Sequence, residues 1–473
     1  MALTSLVLTL GLASQAQSNS SRSTLSAPAH PITNLAMAVG EDLYLGANQP
    51  SYSPAAAASL SELGLHWQRL MPTHAQFGWA VDASTQWHAQ DRALYIDVRD
   101  AYYQTRFLSG ELSLGRRRMS WSEADDQWRL GLWQPRILRD KLARPAVGLI
   151  GLFWQSVTPA SPWQIQVLAS PAYVPDLGPD LKIIDHSFST PNPWFHTPPP
   201  TVLISGVETN IHYSLTRPNN EAMIQHPGAA LKVQYQLNPR DHLQLSLAHK
   251  PIQQLVLAFP YYLFVGPSER YVAVELAARV LYQKIATLEY VMGPQNRNWR
   301  AWASLTHEVP VNTSVPSSWV SQQLSPATLT NFYFASSLNG EGFSKIGTPI
   351  LYTTFTYLNG GDSPDLGPKI GKQESVFESR FFYKRALTLG LQDSWLLKGQ
   401  DRFSMDLHGT FDFAQAGLQV SAQLRYDLNP RWRVAARADW LTLTHDPDTQ
   451  KSTGFFSNYR ANDRMHLEVT YVF

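Results

Sequence analysis

The sequence predicts an all-β fold: a transmembrane antiparallel β-barrel of about 18 strands (16–18), with long loops on one side and short turns on the other. Three observations predict it. Short segments of alternating apolar and polar residues recur along most of the chain. The last nine residues form such a segment and run to the final residue. No run of eighteen or more apolar residues offers a transmembrane helix.

Composition sets the outer bounds. The 473 residues would make roughly three ordinary globular domains, but one large closed barrel absorbs the same length. A net charge of +1 argues against a dedicated nucleic-acid binder. Aromatic residues reach 12%, with 15 Trp. The absence of cysteine removes disulfide frameworks, thiolate catalysis and Cys-ligated metals, and suits a chain that crosses an oxidising periplasm. A mean hydropathy of -0.23 fits a soluble protein and a barrel equally, because lipid-facing residues alternate with lumen-facing ones.

At the N-terminus, Leu3 to Leu12 form a short apolar stretch, and Ser14-Gln15-Ala16 places small residues where a signal peptidase cuts. Cleavage is expected after Ala16, giving a signal peptide over 1–16. The usual Lys or Arg near the start is missing; the plainer reading is an ordinary N-terminal helix. Residues 17–60 are expected to be a partly disordered periplasmic extension, since the Ser/Thr/Ala-rich run from Gln17 to about Pro31 buries little. The barrel is expected over 61–473.

Between the ends, alternation marks the strands. The first expected ones are Phe77–Trp87, Leu94–Val98, Leu112–Arg116, Gly148–Gln155, Gln164–Ala169 and Val207–Leu215. Leu231 to Leu237 and Leu243 to Leu247 follow, joined at Leu237-Asn-Pro-Arg240. Then come Tyr271–Leu281, Ile285–Val291, Trp299–Thr306, Thr330–Ser336, Ile350–Leu358, Phe377–Lys384, Ala386–Asp393 and Phe403–Phe413. Near the end, Leu418, Val420, Ala422, Leu424 and Tyr426 share one face, with Gln419, Ser421, Gln423, Arg425 and Asp427 opposite. A second Leu428-Asn-Pro-Arg431 turn leads to Trp432, Val434, Ala436, Ala438 and Trp440, whose opposite face carries Arg431, Arg433, Arg437 and Asp439. Aromatics at both ends of an apolar face suit two membrane interfaces. Asn-Pro makes a tight reversal, so both turns are assigned to the periplasmic side. At about 22–25 residues per strand and connection, an even count of 18 fits. A soluble propeller fits less well, because no 40-residue repeat is readable.

The last segment is Met465, Leu467, Val469, Tyr471 and Phe473 on one face of a strand. A terminal Phe, an aromatic two residues earlier and alternating apolar residues before it resemble the C-terminal signal of bacterial outer-membrane β-barrels. The resemblance is to porin-like barrels, and to those that export acidic polysaccharide. It covers both ends and the patterning between them. It implies the outer membrane of a Gram-negative bacterium, a last strand closing against the first, and Tyr471 and Phe473 read by the barrel-assembly machinery. Outer-membrane lipid and periplasmic export components are the other implied partners.

Function is expected in the polar face and two loops. Pore-lining candidates are Arg380, Lys384, Asp406, Asp412, Arg425, Arg433, Arg437, Asp439 and Glu468; salt-bridged wall residues are the plainer reading. A segment rich in Arg and Trp carries Arg116, Arg117, Arg118, Trp121, Trp128, Arg129, Trp133 and Arg136. With Trp194 these are candidate cargo contacts, since Trp faces stack on sugar rings and Arg forks grip carboxylates. A loop held by its own ion pairs is the alternative. The Pro-rich stretch from Ser170 to Pro200 is expected to fold inward as a constriction or to cap the barrel. Its Pro-Asp-Leu-Gly-Pro turn recurs at Pro364–Pro368. His408 beside Asp406 and Asp412 is the one candidate for general-base chemistry. No G-x-S-x-G motif and no metal-ligand spacing are present, so no enzyme, metal or cofactor is expected. The expected function is a pore for small solutes or a secreted polysaccharide. A closed barrel anchoring a surface assembly for export, adhesion or motility is the alternative.

Overall fold

The computed structural model describes residues 32–45, 59–70, 75–88, 91–156, 161–178, 181–190, 192–195, 197–216, 224–267, 269–293, 299–338, 349–362, 378–397, 401–444 and 454–473. The expected signal peptide, the run to Pro31 and Pro364–Pro368 lie outside the described residues.

Eighteen strands form one sheet. They are β1 (Ile32–Tyr44), β2 (Ser59–Leu70), β3 (Ala75–His88), β4 (Asp91–Phe107), β5 (Gly110–Arg117), β6 (Leu149–Ser156), β7 (Trp163–Ser170), β8 (Gly228–Gln236) and β9 (His242–Pro251). The ring continues with β10 (Tyr282–Met292), β11 (Trp299–Val311), β12 (Leu324–Ser337), β13 (Ile350–Asp362), β14 (Arg385–Leu396), β15 (Arg402–Asp412), β16 (Gly417–Asp427), β17 (Trp432–Leu443) and β18 (Arg464–Val472). Each pairs antiparallel with the next. β18 then pairs antiparallel with β1, from Ala36↔Val472 to Tyr44↔Arg464. The pairings therefore close a ring with no free edge, which lipid demands, since water cannot satisfy backbone groups there.

The two faces are inverted relative to a soluble protein. Leu243, Leu245, Leu247, Leu288, Leu305, Phe332, Leu389, Leu424 and Val434 point outward and are exposed. Their alternating neighbours Gln244, Ser246, Thr287, Glu289, Ser304, Thr306, Asn331, Thr388 and Ser421 point inward and are buried. An apolar outside around a polar inside is stable only when hydrocarbon is the outer solvent.

Three expected strands do not join the wall. Val207–Thr216 and Arg270–Arg279 belong to a separate six-stranded sheet, paired parallel with each other. Their alternation is real, but their apolar face (Ile211, Tyr213, Val272, Val274) covers a core with Phe259 and Val320. Described residues 378–384, from the expected strand Phe377–Lys384, form no strand, and β14 starts at Arg385. Two strands were not expected. The barrel begins at Ile32, inside the stretch expected as an extension, and β1 and β2 restore the count. In β1 the face paired toward the lumen carries Ala36 and Gly40, so the polar contrast that marks other strands is weak there.

Both Leu-Asn-Pro-Arg turns lie on the rim that holds the C-terminal end of β18 and the start of β1, as assigned. Connections on that rim are short. The opposite, extracellular rim carries most of the long ones, including 118–148, 171–227, 252–281 and 363–384.

Candidate functional site

The segment 118–148 between β5 and β6 folds into the lumen. Its helix α1 (Glu123–Trp128) starts at Ser122, whose Oγ accepts from the Asp125 amide at 3.1 Å. The same hydroxyl donates to Glu289 on β10 at 2.6 Å, and the amides of Glu123 and Ala124 donate to Glu289 at 3.0 and 3.2 Å. A wall carboxylate thus receives the first free N–H groups of α1. Arg129 ends the helix with φ of 52°. Trp121 and Trp133 stack at 5.7 Å and pack with Met119 and Leu132 against Phe153, Leu168, Ile285 and Leu329 of the wall. The lumen therefore holds an apolar core of its own. Asp125 receives the Leu132 amide and the Arg136 guanidinium, and the Arg136 amide donates to Asp176 at 2.6 Å.

This corrects the reading of the Arg/Trp segment as a cargo surface. Trp121, Trp128, Trp133 and Trp194 are all buried, so none offers a ring face. Arg118 pairs with Asp100, Arg136 with Asp125, and Arg129 donates to the Leu142 and Ala143 carbonyls. Arg116 donates to the Gly148 carbonyl, and Arg117 bonds Ser113 and covers the Tyr102 ring. The charges hold the segment itself.

The described part of the Pro-rich stretch packs in part against the inserted segment. Tyr173 and Val174 are buried, and Ile137 bridges Leu177 beside the inserted segment. Trp194 packs inside the extracellular mouth against Tyr44, Phe455 and Tyr459 of β1 and helix α2 (Phe455–Tyr459). Residues 182–189 form a two-stranded hairpin whose Ile183 and Phe188 pack on the core of the six-stranded sheet that holds strands from 201–216. At the mouth Arg464 bonds Asp439 and Asp140, both at 2.8 Å, and Lys141 bonds Glu378 at 2.6 Å.

The inserted segment divides the lumen wall. On β9 to β13 the polar face is sealed: Ser246, Thr287, Glu289 and Asn331 are 0% exposed. On β14 to β18 the extracellular part is sealed as well, with Thr388, Thr410, Asp412, Gln419 and Ser421 buried, and the wet half is the part nearer the periplasmic rim. Asp406 and His408 keep about 30% of their side chains exposed, and Arg425, Arg433 and Arg437 about 20%. Register aligns one rung of six polar residues across this half: Gln392, Asp406, Gln423, Arg437, His466 and Asp42. Gly40 makes room for it, since a Cβ there would meet the His466 ring at 2.8 Å.

Of the pore-lining candidates, Asp406, Arg425, Arg433, Arg437 and Glu468 face this wet half. Asp439 faces it too but is buried by Arg437, Arg464 and Ser421. Asp412 is sealed, receiving the Lys384, Ala414 and Gln415 amides. Arg380 and Lys384 are not wall residues; they lie in 378–384, where Arg380 forks onto Glu308 with both bonds at 2.9 Å and Lys384 meets Asp362. Gln392, Gln423, His466 and Asp42 were missed. The first three sit in phase with Asp406, Arg425 and Glu468 and were findable; Asp42 required recognising β1. His408 bonds Asp406 at 2.9 Å, and Gln392 bonds it at 2.7 Å, so that carboxylate is held by wall partners. Among the described residues no cluster of His, Asp and Glu could hold a metal ion.

No known family model matches the chain, and no curated protein matches it significantly. Among solved structures it is similar to Wzi of Escherichia coli, described as a carbohydrate-binding outer-membrane β-barrel involved in group 1 capsule assembly. That likeness has 10% identity and a TM-score of 0.45, covering 93% of this chain and 84% of that one. It is also similar to OccAB3 of Acinetobacter baumannii, at 11% identity and TM-score 0.45 over 93% and 99% of the two chains. A BenF-like porin of Pseudomonas fluorescens gives 10% and 0.46 over 94% and 98%. On its own geometry, the closed ring, the inverted faces and the long-loop and short-turn rims define this chain as an outer-membrane β-barrel of porin-like architecture.

Proposed function

We propose that the chain is an outer-membrane channel for small polar solutes, which pass along the wall of β14 to β18, uncovered in its part nearer the periplasmic rim. The observation that carries this reading is the asymmetry of the lumen: the polar wall of β9 to β13 is sealed, whereas on β14 to β18 the part nearer the periplasmic rim keeps partly exposed charged side chains. Interleaved Asp406, Arg425, Arg433, Arg437 and Glu468 offer both signs of charge to a passing solute. A secreted polysaccharide is the larger cargo, and its exit requires 118–148 to withdraw. Tyr471 and Phe473, at the exposed end of β18, suit recognition by assembly machinery, and export components suit the periplasmic rim. No catalytic role is proposed: His408→Ala is expected to leave the barrel folded.

The second reading is a closed barrel that anchors a surface assembly. It is favoured by the apolar core that joins Trp121 and Trp133 to the wall. Single-channel conductance of the refolded chain in a planar bilayer decides between them. Steady conductance supports the channel, and its cation/anion ratio shows which charges control the narrow part. A folded barrel without conductance sinks the channel reading and leaves the anchor.

A further inference from the structure

The two Leu-Asn-Pro-Arg turns share one local design. In each, the Asn carboxamide oxygen accepts two amides ahead of it: Asn238 from Arg240 and Asp241, both at 3.0 Å, and Asn429 from Arg431 and Trp432 at 2.8 and 2.9 Å. Their surroundings differ in charge. Asp241 stands beside Arg240, and its carboxylate bonds Asn238 and the Gly293 amide. The residue after Arg431 is Trp432, followed by Arg433.

Around the second turn lies a cavity of about 220 Å³, lined by Leu396, Arg402, Asp427, Arg431, Arg433 and Val472 together with Asn429, Pro430 and Trp432. One carboxylate serves this cluster. Asp427 takes the Arg425 fork at 3.0 and 3.1 Å and Arg433 Nε at 2.7 Å. Asp401, the nearest other acid in sequence, bonds the Tyr426 hydroxyl on the outward face. Arg402 has a long bond to Ser394 Oγ at 3.3 Å. Among the described residues no carboxylate pairs with Arg402 or Arg431. Asp427 is thus bonded by two guanidinium groups, Arg425 and Arg433, while Arg402 and Arg431 line the same cavity without a carboxylate of their own. The excess positive charge is concentrated in a concave site, walled by Pro430, Trp432 and Val472, where the field of an arginine is screened less than on a flat surface.

We propose that this pocket on the periplasmic rim binds an oxyanion, a carboxylate or phosphate group, held by Arg402, Arg431 and the free N–H groups of Arg433. Guanidinium forks match both groups in geometry. The volume is below that of a drug-sized site, so it suits a single anionic group or a very small acid. The anion comes either from a free solute at the periplasmic mouth or from the headgroup of a lipid in the adjacent leaflet. The site does not depend on the lumen being open.

The test uses the refolded full chain in nanodiscs of phosphatidylcholine alone, titrated by calorimetry with inorganic phosphate and with succinate. Saturable binding is expected, weakening as salt rises. R402Q/R431Q should lose about tenfold to hundredfold in affinity, the loss that follows when charge-assisted hydrogen bonds go. Both residues are exposed, and heat-modifiable gel migration checks that the variant still folds. Arg240→Gln in the matching turn should bind as the parent does. Repeating the titration with phosphatidylglycerol in the disc separates the sources. A headgroup in the pocket competes and weakens phosphate binding in the parent but not in R402Q/R431Q; unchanged binding assigns the site to free anions. Absence of saturable binding in phosphatidylcholine discs, or equal binding by parent and R402Q/R431Q, overturns the proposal.

Discussion

Two carboxylates fix the inserted segment, and they act in opposite ways. Glu289 accepts Ser122, the first α1 amides and Gln244, all buried against the wall. Glu289→Ala strips these donors of their acceptor, at a local cost of about 2–3 kcal/mol. Hydrogen exchange in residues 121–128 is expected to quicken by more than tenfold, while the strands exchange as before. Unchanged exchange there would mean the helix is held by Trp packing alone. Asp176 is different, because burial pushes its carboxyl up to about 7, against the pull of the Arg136 amide and Lys250. In the docked segment it therefore holds a proton that an opened, solvated carboxyl releases near the ordinary value of about 4. Docking is tightest below that window and weakens as pH rises through it to about 7. Proteolysis between 133 and 147 should be slower at about pH 5 than at about pH 8, relative to a reference peptide. Asp176→Asn keeps the acceptor for the Arg136 amide and should shrink the difference, leaving the part due to Asp126, whose carboxyl burial pushes up to about 6. A D176N profile as steep as the parent's would place the titration elsewhere.

The element on which the proposed function turns is the segment 118–148, and its packing was only half legible. Its arginines, carboxylates and tryptophans stood out, but composition does not say whether such groups face a ligand or one another. Here they face one another and the wall, as Arg136 with Asp125 and Trp121 on Trp133 show. Alternation found the strands for a similar reason and with a similar blind spot. It reports a sheet with two different faces, not the solvent on each side. Hence Val207–Thr216 and Arg270–Arg279 read as wall strands although their outer face meets water above the barrel. The wet half of the lumen was the best-read part of the site, because Asp406, Arg425, Arg433 and Arg437 sit on strands with a strong polar and apolar contrast. The chain has no cysteine, so single cysteines can test the division of the lumen directly. Gln423→Cys on the wet half should react with a water-soluble thiol reagent in the parent barrel. Asn331→Cys, at a site 0% exposed, should not. Replacing 120–143 by a short Gly/Ser link should expose Asn331→Cys and raise conductance. If Asn331→Cys reacts equally with and without the segment, 118–148 does not cover that wall.

At the scale of the whole molecule, stability rests on closure. β1 supplies both seams, pairing Ile32 to Leu43 with β2 and Ala36 to Tyr44 with β18. A barrel starting near residue 61 would keep seventeen of the eighteen strands. An odd count makes the two free edges run parallel, so the closing ladder cannot re-form with its antiparallel register. The backbone groups of β2 and β18 would then face lipid unpaired, at several kcal/mol for each group. The lumen would also lose Asp42, leaving His466 and Arg464 short of one acceptor, and Tyr44, leaving the Trp194 indole N–H without its partner at 3.0 Å. A chain beginning at residue 31 is therefore expected to refold in liposomes and to migrate as a compact, heat-modifiable band. A chain beginning at residue 59 should give only the unfolded band. Adding a peptide of residues 31–45 during refolding should recover part of the compact form, because the missing edge is a single strand whose register is set from both sides. Folding of the shorter chain to a compact, protease-resistant barrel without the peptide would show that β1 is dispensable and that closure runs through a different seam.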